Sequence, residues 1–352
     1  MVKVAILGVS GYGGSEVLRL LSRHDGVAVS HLGAGKAAGL ALSQSLGHFY
    51  GIRDGILGQA DLLDLASSND CIIAATPHEY LANLLTKEVL DKAVVIDLSA
   101  DFRLKNPAKY EEYYNFKHPN PALLENSVYG LCELNRESIK AASLIANPGC
   151  YPTCSTLCVL PLLSKGVIDG SSLIIDAKSG VSGAGRGSKL DSHFCEVHEN
   201  VRAYGLINHR HVAEIGQNLI AFGGVSARDL GFTFTPHVVP MSRGILVTAY
   251  ASLSSAYRSI SPADLDSIYE EFCASKPFLR YLPGGLPPQT RWVRGSNFVD
   301  ISVCLDSKNG RVVMMGALDN LIKGAAGAAI QNLNLRFGFE ETMALEAIAL
   351  FP

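Results

Sequence analysis

The chain has 352 residues, 48% of them hydrophobic, which is enough for two domains or one large one with a substantial core. Its 30 Lys and Arg against 33 Asp and Glu give a net charge of −3 with no basic run, and this argues against nucleic acid or a membrane surface as the main partner. No apolar stretch reaches the length of a transmembrane span, and eight cysteines scattered without paired spacing predict reduced thiols in a cytoplasmic setting, not a disulfide framework.

Residues 2–7 form a continuous apolar run, as in a buried parallel strand. The start of the chain therefore reads as a first strand and not as a signal peptide. It leads into Gly8-Val9-Ser10-Gly11-Tyr12-Gly13-Gly14 and then into an amphipathic stretch carrying Val17, Leu18, Leu20 and Leu21. In a strand–glycine loop–helix unit, glycines let the backbone approach a pyrophosphate resting on the helix N-terminus. Gly8, Ser10, Gly11, Tyr12, Gly13 and Gly14 are thus cofactor candidates, although an ordinary tight turn could carry the same G-x-x-G-x-x-G spacing. A second strand is predicted over 27–32. The segment after it holds small residues and Lys36 where an NAD site would place an acid, which suits the extra phosphate of NADP. A plain surface loop is the other reading of that segment.

Residues 39–58 show little periodicity and are expected to be a loop-rich insertion. A strand over 71–75 ends at Thr76-Pro77-His78, a helix is predicted over 79–90, and a strand over 94–98 ends in Ser99-Ala100-Asp101-Phe102-Arg103. This alternation predicts a doubly wound, Rossmann-type α/β domain, whose ligands bind beyond the carboxyl ends of the strands. By that rule Thr76, Pro77, His78, Ser99 and Arg103 face the ligand. Residues 106–120 read as a surface excursion.

The apolar run 144–146 is followed by the turn Asn147-Pro148-Gly149, then by Cys150, then by a helical stretch over 153–165. The cysteine falls where a strand hands over to a helix N-terminus. Backbone N–H groups gather there and the dipole is positive, a field that favours thiolate over thiol. A buried, inert cysteine is the alternative. Cys154 and Cys158 share a helix face with Cys150, but core packing explains them better than a metal, and His193, Cys195 and His198 raise the metal idea no more strongly. No metal is expected.

Beyond 165 the pattern changes. A strand over 172–177 runs into a glycine and serine loop, 178–187, whose Ser182, Gly183 and Arg186 read as facing an anion or cofactor more than as a linker. Asn208-His209-Arg210-His211 directly precedes a helix over 212–221, which suits a general acid–base histidine beside a substrate-binding arginine, with a structural histidine as the alternative. Strands are predicted over 232–239, 245–253, 299–305 and 311–318, and a helix start at Ser261-Pro262-Ala263-Asp264. Together they make an α+β domain with a mixed, largely antiparallel sheet. One sheet face short of covering helices implies a homo-oligomer. An Ala-rich helix running to about 335 is expected to return to the first domain. The expected division is 1–149 with 320–352 for dinucleotide binding, and 150–319 for catalysis and oligomerisation.

Taken together, the glycine loop 8–14, Ser99-Ala100-Asp101-Phe102-Arg103, Asn147-Pro148-Gly149-Cys150-Tyr151-Pro152-Thr153, the loop 179–186, His209-Arg210-His211, the segment 319–327 and the ending Ala349-Leu350-Phe351-Pro352 resemble the N-acetyl-gamma-glutamyl-phosphate reductase family. These are NADP-dependent enzymes of arginine biosynthesis, related to aspartate-semialdehyde dehydrogenase. The chain departs from the family pattern at Glu79, where glycine is usual, at Cys132, where proline is usual, and at Val212-Ala213, where Thr-Pro is more familiar. The resemblance implies that Cys150 attacks an acyl phosphate, phosphate leaves, and NADPH reduces the thioester to a semialdehyde. It implies His209 as acid–base residue with His211 as the second choice. Arg103, Arg186 and Arg210, with Asn147, would hold phosphate and carboxylate, and Asn320 the nicotinamide amide. A homodimer or homotetramer is expected. The rivals are the same chemistry on aspartyl phosphate or carrier-linked aminoadipyl phosphate, a non-enzymatic NADP-binding scaffold, and a phosphate-independent aldehyde dehydrogenase.

Overall fold

Six short strands build the first unit of the computed structural model, which describes residues 1–351. They are β1 (Val2–Leu7), β2 (Val27–Gly33), β3 (Cys71–Ala74), β4 (Val94–Asp97), β5 (Val128–Tyr129) and β6 (Leu144–Ala146), in the order β2-β1-β3-β4-β6-β5. Every neighbouring pair is parallel. A parallel sheet has both faces covered, which is why Cys71–Ala74 and Val94–Asp97 are buried at every residue and do not alternate. Ile6, Ile73, Ile96 and Ile145 stand in one register row across four strands. The carboxyl ends of β1, β3, β4 and β6 therefore lie side by side, and they lead into Gly8, Ala75, Leu98 and Asn147.

Several predicted stretches differ. The helix expected over 79–90 is two short helices, Tyr80–Leu84 and Lys87–Leu90, because Leu85 turns extended and Thr86 caps the second through the Val89 N–H. The loop-rich 39–58 holds Leu42–Ser45 and Gly47–Phe49. The expected surface excursion contains the helix Pro107–Tyr114, capped by Asn106, with Tyr110 fully buried against Tyr114 and His118. Aromatic spacing in a polar segment hid that burial.

The second unit is a sheet of seven strands: β7 (Leu173–Ser179), β8 (Arg202–Ala203), β9 (Phe232–Val238), β10 (Ile245–Ser252), β11 (Leu279–Tyr281), β12 (Val299–Asp306) and β13 (Arg311–Leu318). Its order is β11-β12-β13-β10-β7-β9-β8. The central pairs β12·β13, β13·β10 and β10·β7 are antiparallel, while β7·β9 and β11·β12 are parallel. The helix Cys150–Ser164 packs on one face and is buried from Tyr151 to Leu163, which suits a stretch apolar on all sides. Cys154 and Cys158 lie against Gly316 of β13, where an added Cβ would come within 3.0 Å of the Cys154 sulfur. On the opposite face Ile174 and Tyr250 pair in register and stay 47% and 38% exposed.

The units are Met1–Pro148 with Ala325–Glu346, and Gly149–Gly324 with the residues from Ala347 on. The expected assignment of 320–352 to the first domain is corrected at both ends. Asp319 ties 320–324 to the second unit, its carboxylate accepting the N–H groups of Gly295, Leu321 and Ile322. The last residues join the second unit because the Leu350 N–H donates to the Arg294 carbonyl at 2.8 Å and the Arg291 guanidinium stands over the Phe351 ring.

Candidate active site

Cys150 is the first residue of its helix, which begins three residues earlier than the predicted 153. Gly149 is the N-cap, with φ −71° and ψ 153°. Pro152 fits the first turn because an N–H there has no acceptor within the helix in any case. The first turn, Cys150 to Thr153, carries no charged residue of its own. Gly324 has its would-be Cβ 2.7 Å from the Cys150 Cβ, so only glycine permits this approach.

His211 opens the helix His211–Gly223 and His209 precedes it. The His211 N–H donates to His209 Nδ1 at 3.2 Å, so Nδ1 is the acceptor and the ring proton sits on Nε2. Burial, and then the neighbouring Arg210 charge, pull the His209 pKa down to about 4. His209 is thus a neutral imidazole. His211 has a carboxylate instead: its Nε2 is 4.0 Å from Glu214 Oε2, one helical turn on. The other oxygen of buried Glu214 accepts the Gly149 N–H at 2.8 Å, so one carboxylate serves both the start of the cysteine helix and the histidine. The sequence reading missed Glu214. An acid three residues after a histidine at a helix start was the available signal.

Tyr151, next to the cysteine, lies edge-on to both histidine rings with centroids 5.9 Å away. The remaining candidates of the second unit fall into two groups. Buried Asn320 accepts the Gly244 N–H through Oδ1 and donates from Nδ2 to Ser182 Oγ at 2.9 Å, beside Gly183. Arg186 and Arg210 are exposed.

In the first unit Arg103 is buried. Its Nε donates to the Asn147 carbonyl at 2.7 Å and an Nη to the Leu98 carbonyl at 2.8 Å, so it ties together the ends of β6 and β4. Burial, then the Asp101 charge, hold the neighbouring Asp97 carboxyl above the usual carboxylate range, with Ser99 and Arg103 pulling the other way. The Asn147 side chain donates to the Ala325 carbonyl and accepts from Asn332. Both residues therefore brace the turn ahead of the cysteine.

The glycine loop fits a dinucleotide. Gly8 has φ +77°, and a Cβ there would meet the Ala75 carbonyl oxygen at 2.2 Å. A Cβ on Gly14 would meet the Gly8 oxygen at 2.3 Å. Gly11 caps the helix Tyr12–Leu21, whose first turn is uncharged. Thr76 Oγ1, at the end of β3, is buried and has no hydrogen-bond partner among the described residues. Pro77 beside it and Lys36 after β2 are exposed.

The semialdehyde dehydrogenase NAD binding domain family matches residues 3–142 and the semialdehyde dehydrogenase dimerisation domain family matches 150–320. An N-acetyl-gamma-glutamyl-phosphate reductase of Lachnoclostridium phytofermentans is 46% identical over 352 residues, covering 100% of both chains. One of Campylobacter jejuni subsp. doylei is 49% identical over 356 residues, covering 99% of each. The chain belongs to the N-acetyl-gamma-glutamyl-phosphate reductase family. Among solved structures, an aspartate semialdehyde dehydrogenase II of Vibrio cholerae, complexed with ASA, has a TM-score of 0.72 at 17% identity, covering 96% of this chain and 98% of that one. The Candida albicans aspartate semialdehyde dehydrogenase with NADP has a TM-score of 0.67 at 19% identity, covering 95% and 98%. At such identities the reductase family shares the fold with these enzymes. Among the described residues no helix is long and apolar enough to cross a membrane.

Proposed function

We propose that this reductase uses NADPH to convert N-acetyl-gamma-glutamyl phosphate into N-acetyl-L-glutamate 5-semialdehyde and inorganic phosphate, a step of arginine biosynthesis in the cytoplasm. The observation that carries the reading is Cys150 as the first residue of its helix, with Glu214 bridging the start of that helix to His211. His211 takes the thiol proton and Glu214 balances the imidazolium charge. The Cys150 sulfur bonds to the acyl carbon, and collapse of the adduct expels phosphate, which leaves with the proton from His211. A thioester remains. NADPH, when bound, supplies the hydride that reduces the thioester carbonyl. The N–H groups of Cys150 and Tyr151, which point out of the helix start, and the Nε2–H of His209 hold the oxyanion in both stages. Expulsion of the Cys150 thiolate releases the aldehyde. The Nε2–H tautomer of His209 suits a donor, and the acid–base role is assigned to His211, the second choice of the sequence reading, which has Glu214 as its partner.

Arg186 and Arg210 hold phosphate and carboxylate, where a planar guanidinium suits both. Arg103 adds its charge and, with Asn147, keeps the turn in place. Gly8, Ser10, Gly11, Tyr12, Gly13 and Gly14 take the pyrophosphate, Lys36 the extra phosphate of NADP, and Thr76 and Pro77 line the same ligand. Ser182, Gly183 and Asn320 receive the nicotinamide end. The second unit joins copies into a homodimer or homotetramer.

The test is the phosphate dependence of NADP reduction with N-acetylglutamate semialdehyde. Turnover that needs no phosphate, or that prefers aspartate semialdehyde, would overturn the reading. Cys150→Ser is expected to abolish turnover and leave NADPH binding, followed by fluorescence, nearly intact.

A further inference from the structure

His209 sits in a box of rings. Tyr204 faces it edge-on at 5.3 Å between centroids, Tyr151 at 5.9 Å, Phe234 at 5.6 Å and His211 at 4.9 Å. Gly205, at φ +56°, closes another side, with a would-be Cβ 3.0 Å from His209 Cδ2. The walls come from separate parts of the second unit. Tyr151 comes from the cysteine helix and Phe234 from β9, while Tyr204 follows β8 and is fixed there by its N–H on the Pro236 carbonyl at 3.0 Å. The hydroxyls continue the arrangement: Tyr204 donates to the Tyr151 oxygen at 3.3 Å, and Tyr151 donates to the His237 carbonyl at 3.1 Å.

We propose that Tyr204 is a positioning residue whose ring, with those of Tyr151 and Phe234, holds His209 as the neutral imidazole that carries its proton on Nε2. The inference rests on His209 acting as an oxyanion donor in the proposed reaction. A donor must keep its proton on Nε2, and an imidazole free in water near neutrality exchanges between its two neutral tautomers and the cation. The box supplies two constraints. The His211 N–H occupies Nδ1 and selects the tautomer. The rings exclude the water that would solvate an imidazolium. Of the charged and titratable groups around the ring, Arg210 is a cation that acts in the same direction and Tyr151 and Tyr204 present neutral phenols, whereas a Cys150 thiolate and the Glu214 carboxylate, which faces His211, act the other way. His237, one step beyond Tyr151, has Asp176 as its own partner.

The experiment uses the full chain labelled with 15N-histidine, the His209 signals being assigned by their loss in His209→Gln. In the wild type they are expected to keep the neutral Nε2–H pattern from about pH 8 down to about pH 5.5. In Tyr204→Ala they should titrate near the ordinary histidine value, and kcat should fall roughly tenfold with KM changed less than about twofold, because a transition-state donor is lost and not a ground-state contact. Tyr204→Phe keeps the ring and should retain both titration and rate. The proposal is overturned if wild-type His209 titrates at the ordinary value, if Tyr204→Ala leaves titration and kcat unchanged, or if Tyr204→Phe loses as much as Tyr204→Ala. The spectra need no substrate, so failure of the box is distinguishable from failure of the assigned reaction.

Discussion

At the scale of single residues, this chain spends stability in two identifiable places. Glu79 occupies a left-handed conformation, φ +70°, that favours glycine, and its N–H is held by Asp101 Oδ1 at 2.8 Å. A non-glycine residue there is strained by about 1–2 kcal/mol, offset in part by the greater freedom glycine has when unfolded. Glu79→Gly is therefore expected to raise unfolding stability by about 0.5–1 kcal/mol, read as a higher denaturation midpoint in urea. His209 is the second place. Its folded pKa, about 4, lies below the unfolded value, so between the two the unfolded chain binds more protons. Stability should consequently fall as pH drops from near 6.5 towards 4, and His209→Gln should flatten that limb in thermal melts.

At the scale of elements, the motifs that carry chemistry were legible because each is local. An apolar run, a turn and a helix start lie within about ten residues around both Gly8 and Cys150. Boundaries were less legible. Cys150 and Tyr151 belong to the helix although Pro152 follows them, because proline is tolerated in a first turn. The helix start also depends on a residue far away. Gly324 lets the chain pass against Cys150, so Gly324→Ala must displace one of the two. The expected outcome is a kcat loss of roughly tenfold or more with little change in NADPH affinity, since misplacing a nucleophile by a fraction of an ångström is costly. Wild-type kcat in that variant would mean that the helix start yields without consequence.

At the scale of the molecule, the second unit leaves Ile174 and Tyr250 paired on the sheet face opposite the cysteine helix, beside Val313 and Met315 of β13. Asp176, Lys178 and Thr248 share this mixed face, and the dimerisation-domain match to 150–320 spans it. Tyr250→Asp should shift the light-scattering mass towards the monomer without altering the sheet content seen by circular dichroism. What the sequence by itself determined was the kind and order of elements, the glycine loop, the cysteine at a helix start and the histidine pair, since each rests on periodicity or turn chemistry between near neighbours. Only the tertiary structure decided that Glu214 reaches the Gly149 N–H across 65 residues, that Tyr204 walls His209, and that the tail from Ala347 lies with the second unit. These depend on which elements meet in space. Cys150 was visible in a local pattern, whereas the carboxylate at the start of its helix had to be found by folding the chain.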